Sequence, residues 1–193
     1  MFVSEIRKKY LIADSSASSS LAFTLSQAEL VSLQILLDHS WAHQPACFGF
    51  LLADKLPFPE IHAFGYRQLS QQLPHIHFSA DDIASLHDRW PLSAKLTAAL
   101  ENFEFKGGIS CPSEAELLFA GEPIAQIRAT LFEIFLLESF IRRRLEVSSA
   151  ALSWCSWAVD QLEGVPCGLL LDESASADWN QQLSVAAAAL DFI

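Results

Sequence analysis

Residues 105–138, FKGGISCPSEAELLFAGEPIAQIRATLFEIFLLE, decide the fold class. Three apolar runs of strand length, Phe105–Cys111, Ala115–Phe119 and Ile124–Arg128, are separated by Pro112-Ser113-Glu114 and by Ala120-Gly121-Glu122-Pro123. Proline presets its own φ and glycine tolerates positive φ, so both separators predict turns. From Leu131 the pattern is helical to about Leu162, expected as two helices because a single one would be unusually long. The first, Leu131–Ile141, is apolar almost all round and interrupted only by Glu133 and Glu138. A helix of that kind is buried on most sides or covered by another chain. Short strands followed by long helices make an α+β chain.

Upstream, Ser26 and Glu29 have capping-box spacing and open a helix to about His39, with Leu30, Leu33, Leu36 and Leu37 at helical spacing. Ala46–Ala53 reads as a strand, closed by a rigid turn over residues 54–59. Ala63–Leu73 reads as a helix ending before Pro74. Ser79, followed by Asp81 and Asp82, starts another; Pro91 breaks the pattern, and Ser93 caps a short helix to about Asn102. Downstream, Val165–Leu171 is strand-like and a final helix covers about Ala177–Leu190. The Ser-rich stretch 13–20 marks residues 1–20 as a flexible segment. Residues 21–162 then form the main domain, and 163–193 a strand–helix appendage.

The chain has 193 residues and a net charge of −11, from 12 Lys+Arg against 23 Asp+Glu. That balance argues against nucleic acid and against an anionic membrane surface, since phosphate binding needs concentrated Lys and Arg. With 51% hydrophobic and 18% charged residues the chain is not wholly disordered. No apolar run approaches the roughly 20 residues a spanning helix needs. Arg7, Lys8 and Lys9 are followed by serines rather than by the apolar core of a secretory signal. The four cysteines, Cys47, Cys111, Cys155 and Cys167, lie far apart and read as reduced, mostly buried thiols of a cytosolic protein.

The candidate chemistry is sparse. His39 and His43 have the spacing of two metal ligands on one helix face, but no acid lies between them and no third ligand is evident. They are read as surface or interface histidines, and so are His75 and His77. Asp81 and Asp82 resemble the paired acids of ribose-phosphate motifs, yet they open a helix with no glycine loop behind them, so capping is the expectation. Arg142, Arg143 and Arg144 form the one dense basic cluster. Successive helical residues point about 100° apart, so the three cannot line one pocket. Pairing with Glu138 and Glu146 on a solvated face is expected. No G-x-S-x-G, Walker loop, G-x-G-x-x-G or H-E-x-x-H occurs. The expected site list is therefore empty: no catalytic residue, no cofactor-binding residue, no metal ligand and no cofactor.

Read in order, several segments resemble one family. Phe48-Gly49-Phe50-Leu51-Leu52-Ala53-Asp54-Lys55-Leu56-Pro57 is similar to the strand and turn near the start of nicotinate phosphoribosyltransferases. Ile61–Leu73 is similar to the glycine-bearing strand-to-helix piece that follows, and Phe78-Ser79-Ala80-Asp81-Asp82-Ile83 to the next helix start. Phe105-Lys106-Gly107-Gly108, Leu118 to Ile124 with its Gly121-Glu122-Pro123 turn, and Leu136-Leu137-Glu138 resemble the family's hammerhead strands and the helix beginning its long connection. The resemblance covers roughly residues 21–193. It implies an N-terminal-domain-like fold with hammerhead-type strands and long helices. It also implies that residues 163–193 are a remnant of the first strand and helix of the barrel domain.

Family members join nicotinate to the ribose of phosphoribosyl pyrophosphate, with ATP hydrolysis coupled through a phosphohistidine, for NAD synthesis. On the resemblance the chain stops at Ile193 near the start of that barrel. It lacks the Asp-Leu-Tyr motif near Leu25–Leu30, departs around Leu145-Glu146-Val147, and carries Leu170 and Leu171 where the family has two substrate-binding arginines. A pyrophosphate buried without fixed cations is costly. The expectation is a non-catalytic relative that self-associates as a homodimer or binds a barrel-containing protein. The alternatives are one subunit of a split enzyme, or a small-ligand binding module. Nucleic acid and membrane are not expected partners.

Overall fold

The computed structural model describes residues 25–52 and 61–161, together with Ala22 and Ala186. Ser26 caps helix α1 (Gln27–Asp38): its hydroxyl accepts from the Glu29 N–H while the Glu29 carboxylate accepts from the Ser26 N–H at 2.7 Å. Strand β1 (Pro45–Leu51) follows after a tight reversal. Strand β2 (Ile61–His62) precedes helix α2 (Tyr66–Gln72), which runs on through Pro74 as a 3-10 turn, Leu73–His75. The helix expected from Ala63 thus starts three residues late. Residues 61–64 are extended instead, because their backbone is claimed by a neighbouring strand and by serines of the last helix.

Helices α3 (Ala80–Arg89) and α4 (Ala94–Glu101) lie where Ser79 and Ser93 predict them, Ser79 in a capping box with Asp82. Strands β3 (Gly108–Ser110) and β4 (Leu117–Leu118) are shorter than the runs that suggest them, and β5 (Pro123–Thr130) is longer. The antiparallel order β1-β5-β3 makes one sheet, with Phe48 and Ile109 both opposite Ile127, and β2-β4 makes a second. Phe50, Ala125 and Ile127 point to the core, while Cys47, Gly49, Gln126 and Arg128 face solvent, as expected of an antiparallel sheet covered on one side.

The two helices expected after Leu131 are one, α5 (Leu131–Gln161), 31 residues long. The segment contains no Gly or Pro to interrupt it, and it is buried along both halves. Ile134, Leu137, Ile141 and Leu145 enter the core beneath the sheet and α1, and Ala151, Leu152 and Cys155 continue the buried face. The apolar first turns are therefore largely covered within the chain, although Phe135 remains 43% exposed. No helix among the described residues is long and apolar enough to cross a membrane. The turn at 54–59, the strand at 165–171, the helix at 177–190 and the segment 1–20 lie outside the described residues, Ala186 apart.

Candidate functional site

Among the described residues, docking of the β2–α2 segment builds a recessed polar region. Gly65, at φ +90°, sits so close to α5 that a Cβ there would lie 2.4 Å from the Ser148 hydroxyl. The left-handed conformation and the contact both require glycine. The Ser153 hydroxyl accepts the His62 N–H at 2.9 Å, and the Ser149 hydroxyl accepts the Phe64 N–H at 3.0 Å. The Glu114 carboxylate, from the loop after β3, accepts the Gly65 N–H at 3.2 Å and the Arg67 N–H at 2.7 Å, satisfying donors at the start of α2.

Between α2 and that loop lies an open cleft of about 370 Å³ lined by Tyr66, Arg67, Ser70, Cys111, Ser113 and Glu114. Its groups are committed elsewhere. The Tyr66 hydroxyl donates to the Ile109 carbonyl at 3.2 Å, and the Ser70 hydroxyl to the Arg67 carbonyl at 2.9 Å. Burial, with the Glu114 charge adding to it, pushes the Cys111 thiol up to about 12, so near neutral pH it is protonated and a poor nucleophile. The cleft can admit a small polar molecule; it holds no activated group.

A second polar node joins the elements. Glu133, 7% exposed in the first turn of α5, accepts the Lys106 N–H at 2.6 Å, the Thr130 N–H at 2.8 Å and the Thr130 hydroxyl at 2.7 Å. Burial alone would raise its carboxyl pKa. The N–H groups of Lys106, Thr130 and Gly107 and the Thr130 hydroxyl outweigh that and hold it below the ordinary 4.5. The signal was present in the sequence: Thr130-x-x-Glu133 is a capping box, overlooked because Glu133 reads first as an interruption of an apolar run.

The sequence candidates scatter. Arg142 pairs with Glu138 and stacks 5.8 Å over the Phe50 ring, while Arg144 reaches Gln72 on α2 at 3.4 Å. The three arginines do not converge. Asp82 is a helix cap, as expected. His39 bonds through Nδ1 with the Ile35 carbonyl and His77 with the His75 carbonyl, and no three metal-ligating side chains gather among the described residues. Among the described residues the thiols are not mostly buried: Cys155 is, Cys111 is half-buried, and Cys47 is exposed on the open face of β1. Within α5, Leu145 is buried and Glu146 exposed. Cys167, Leu170 and Leu171 lie outside the described residues.

The architecture is a mixed α/β fold of helices and two small sheets. It matches the crystal structure of human nicotinic acid phosphoribosyltransferase with a TM-score of 0.69 and 17% identity, over 80% of this chain and 32% of that one. No protein-family model matches the chain. In sequence the chain is homologous to nicotinate phosphoribosyltransferase: it is 29% identical over 167 residues to pncB1 of Mycobacterium tuberculosis, in strains CDC 1551 / Oshkosh and ATCC 25618 / H37Rv. That alignment takes in 86% of this chain and 36% of the relative, so the chain spans about a third of the length of the curated relatives it matches. The resemblance to nicotinate phosphoribosyltransferases read from the sequence is thereby borne out, for a part of their length.

Proposed function

We propose that this chain is a nicotinate phosphoribosyltransferase-like protein of the NAD salvage type that acts through association with another polypeptide. By itself it does not join nicotinate to phosphoribosyl pyrophosphate. The observation that carries this is the divergence of the basic cluster. Arg142 serves Glu138 and the Phe50 ring, and Arg144 serves Gln72, so they present no convergent pair of cations to a pyrophosphate. Leu170 and Leu171, aliphatic where the family resemblance places arginines, point the same way. A polyanion held without fixed cations pays its full desolvation cost.

On this reading residues 21–162 are the associating α/β unit with hammerhead-type strands, and 163–193 the strand and helix that begin a barrel. The setting is the cytosol. Calorimetry of the homogeneous chain with phosphoribosyl pyrophosphate and with nicotinate, followed by a turnover assay, is the test. No heat and no nicotinate mononucleotide are expected; turnover by this chain alone refutes the reading. The second reading is a split enzyme, in which a separate barrel-containing chain completes the pocket. It predicts that a barrel-containing chain co-purifies and that the mixture turns over.

A further inference from the structure

We infer that residues 111–117 form a strap along the cleft that releases as a unit, latched to the start of α2 by the Glu114 carboxylate. The inference stands apart from the association proposed above. Both ends of the strap are fixed. Ser110 pairs with Gln126 in the first sheet, and Leu118, 5% exposed, pairs with Ile61 in the second. Between them residues 113–117 are all exposed, so no buried side chain roots the tip of the strap in the core.

Polar contacts hold that tip down. The Glu114 carboxylate accepts the Gly65 and Arg67 N–H groups, the Ala115 N–H donates to the Ala63 carbonyl at 2.7 Å, and the Glu116 carbonyl accepts the Ala63 N–H at 2.8 Å. Each of these bonds ends on residues 63–67. The bonds that shape the turn itself are separate. The Ser113 N–H donates to the Glu116 carboxylate at 2.8 Å, and the Glu116 N–H to the Ser113 carbonyl at 3.0 Å. The turn can therefore lift whole, while His62 and Phe64 stay held by Ser153 and Ser149 of α5. Segments with few buried contacts and exposed hydrogen bonds are those that open below the free energy of global unfolding.

A bias toward release is built into the tip. Ala115 sits at φ +66°, a left-handed conformation that its Cβ disfavours. Glu114 offsets that strain, because one carboxylate satisfies two N–H groups and a charged acceptor binds them more strongly than a neutral one. Lifting the strap draws Cys111 and Glu114 away from Tyr66 and Ser70 on the facing wall and opens the cleft. Cys111 reports the event, since its thiol is half-buried and protonated while the strap is down.

Peptide-resolved alkylation of the full chain at neutral pH, with amide exchange alongside, tests this. In the wild type Cys111 should be alkylated faster than the buried Cys155. The amides of Gly65, Arg67 and Ala115 should share one protection, lower than that of Leu137 in α5. Glu114→Gln should quicken Cys111 alkylation and the exchange of those three amides by about tenfold, with Leu137 unchanged. Ala115 is the diagnostic amide, because its own acceptor, the Ala63 carbonyl, is untouched by that substitution. Loss of the Glu114 charge also eases ionisation of the thiol, so Ala115→Gly is the charge-neutral arm. Relief of the left-handed strain should slow alkylation and the exchange of Gly65 and Arg67 several-fold. Ala115 exchange that ignores Glu114→Gln, or alkylation that Ala115→Gly does not slow, overturns the inference. Either result leaves the function proposed above untouched.

Discussion

Glu133 shows how one carboxylate fixes the meeting of three segments. Its two oxygens bind the backbone of Lys106 and both the backbone and hydroxyl of Thr130, which ties the loop before β3, the end of β5 and the first turn of α5 together. Hydrogen bonds to an ionised group contribute more than neutral ones, so Glu133→Gln should cost about 2–3 kcal/mol of stability at neutral pH. The pH dependence has a definite sign. The folded-state pKa lies below 4.5, so the carboxylate's contribution is complete above that value and is lost as pH falls through the folded pKa. Urea unfolding midpoints of wild type and Glu133→Gln should therefore differ most near pH 7 and converge at acid pH. A gap that stays constant down to pH 3 would assign the loss to packing instead.

At the scale of elements, the dependence of β2 on α5 is specific. Ser149 and Ser153, both buried, accept the N–H groups of Phe64 and His62 and donate to the carbonyls of Phe64 and of Ser149 itself. Ser153→Ala and Ser149→Ala each leave a backbone donor without its acceptor, at a cost of about 1–3 kcal/mol. Amide exchange of His62 should quicken in the first variant and of Phe64 in the second, while α3 and α4 keep wild-type protection. Unchanged exchange at both amides would mean that pairing with β4 alone holds the strand. Elements with local signals were legible in the sequence: the caps at Ser26, Ser79 and Ser93 place three helix starts, because capping is a contact within three residues. What was not legible depends on distant partners. Two-residue β2 has no period of its own, and it exists because Leu117–Leu118 and the α5 serines receive it. The unbroken α5 was missed for the opposite reason: length alone suggested a division that no residue in 131–161 enforces. At the cleft, the quiet state of Cys111 follows from burial and from Glu114, neither of which spacing reveals.

For the whole molecule, the controlling quantity in any self-association is the charge of −11. Two such chains repel at long range even where their contact surfaces are apolar, and that repulsion is screened over a Debye length of about 30 Å at 0.01 M salt and about 8 Å at 0.15 M. Raising the salt between those limits should therefore tighten self-association through an apolar face several-fold, read as a shift of the sedimentation midpoint to lower protein concentration. Contacts held by ion pairs behave in the reverse way, since screening weakens attraction as it weakens repulsion. The direction of the salt effect thus separates an apolar interface from one built on the exposed Lys95–Asp38 or Lys106–Glu104 type of pair. Looser association at 0.15 M than at 0.01 M would place the interface on a charged face.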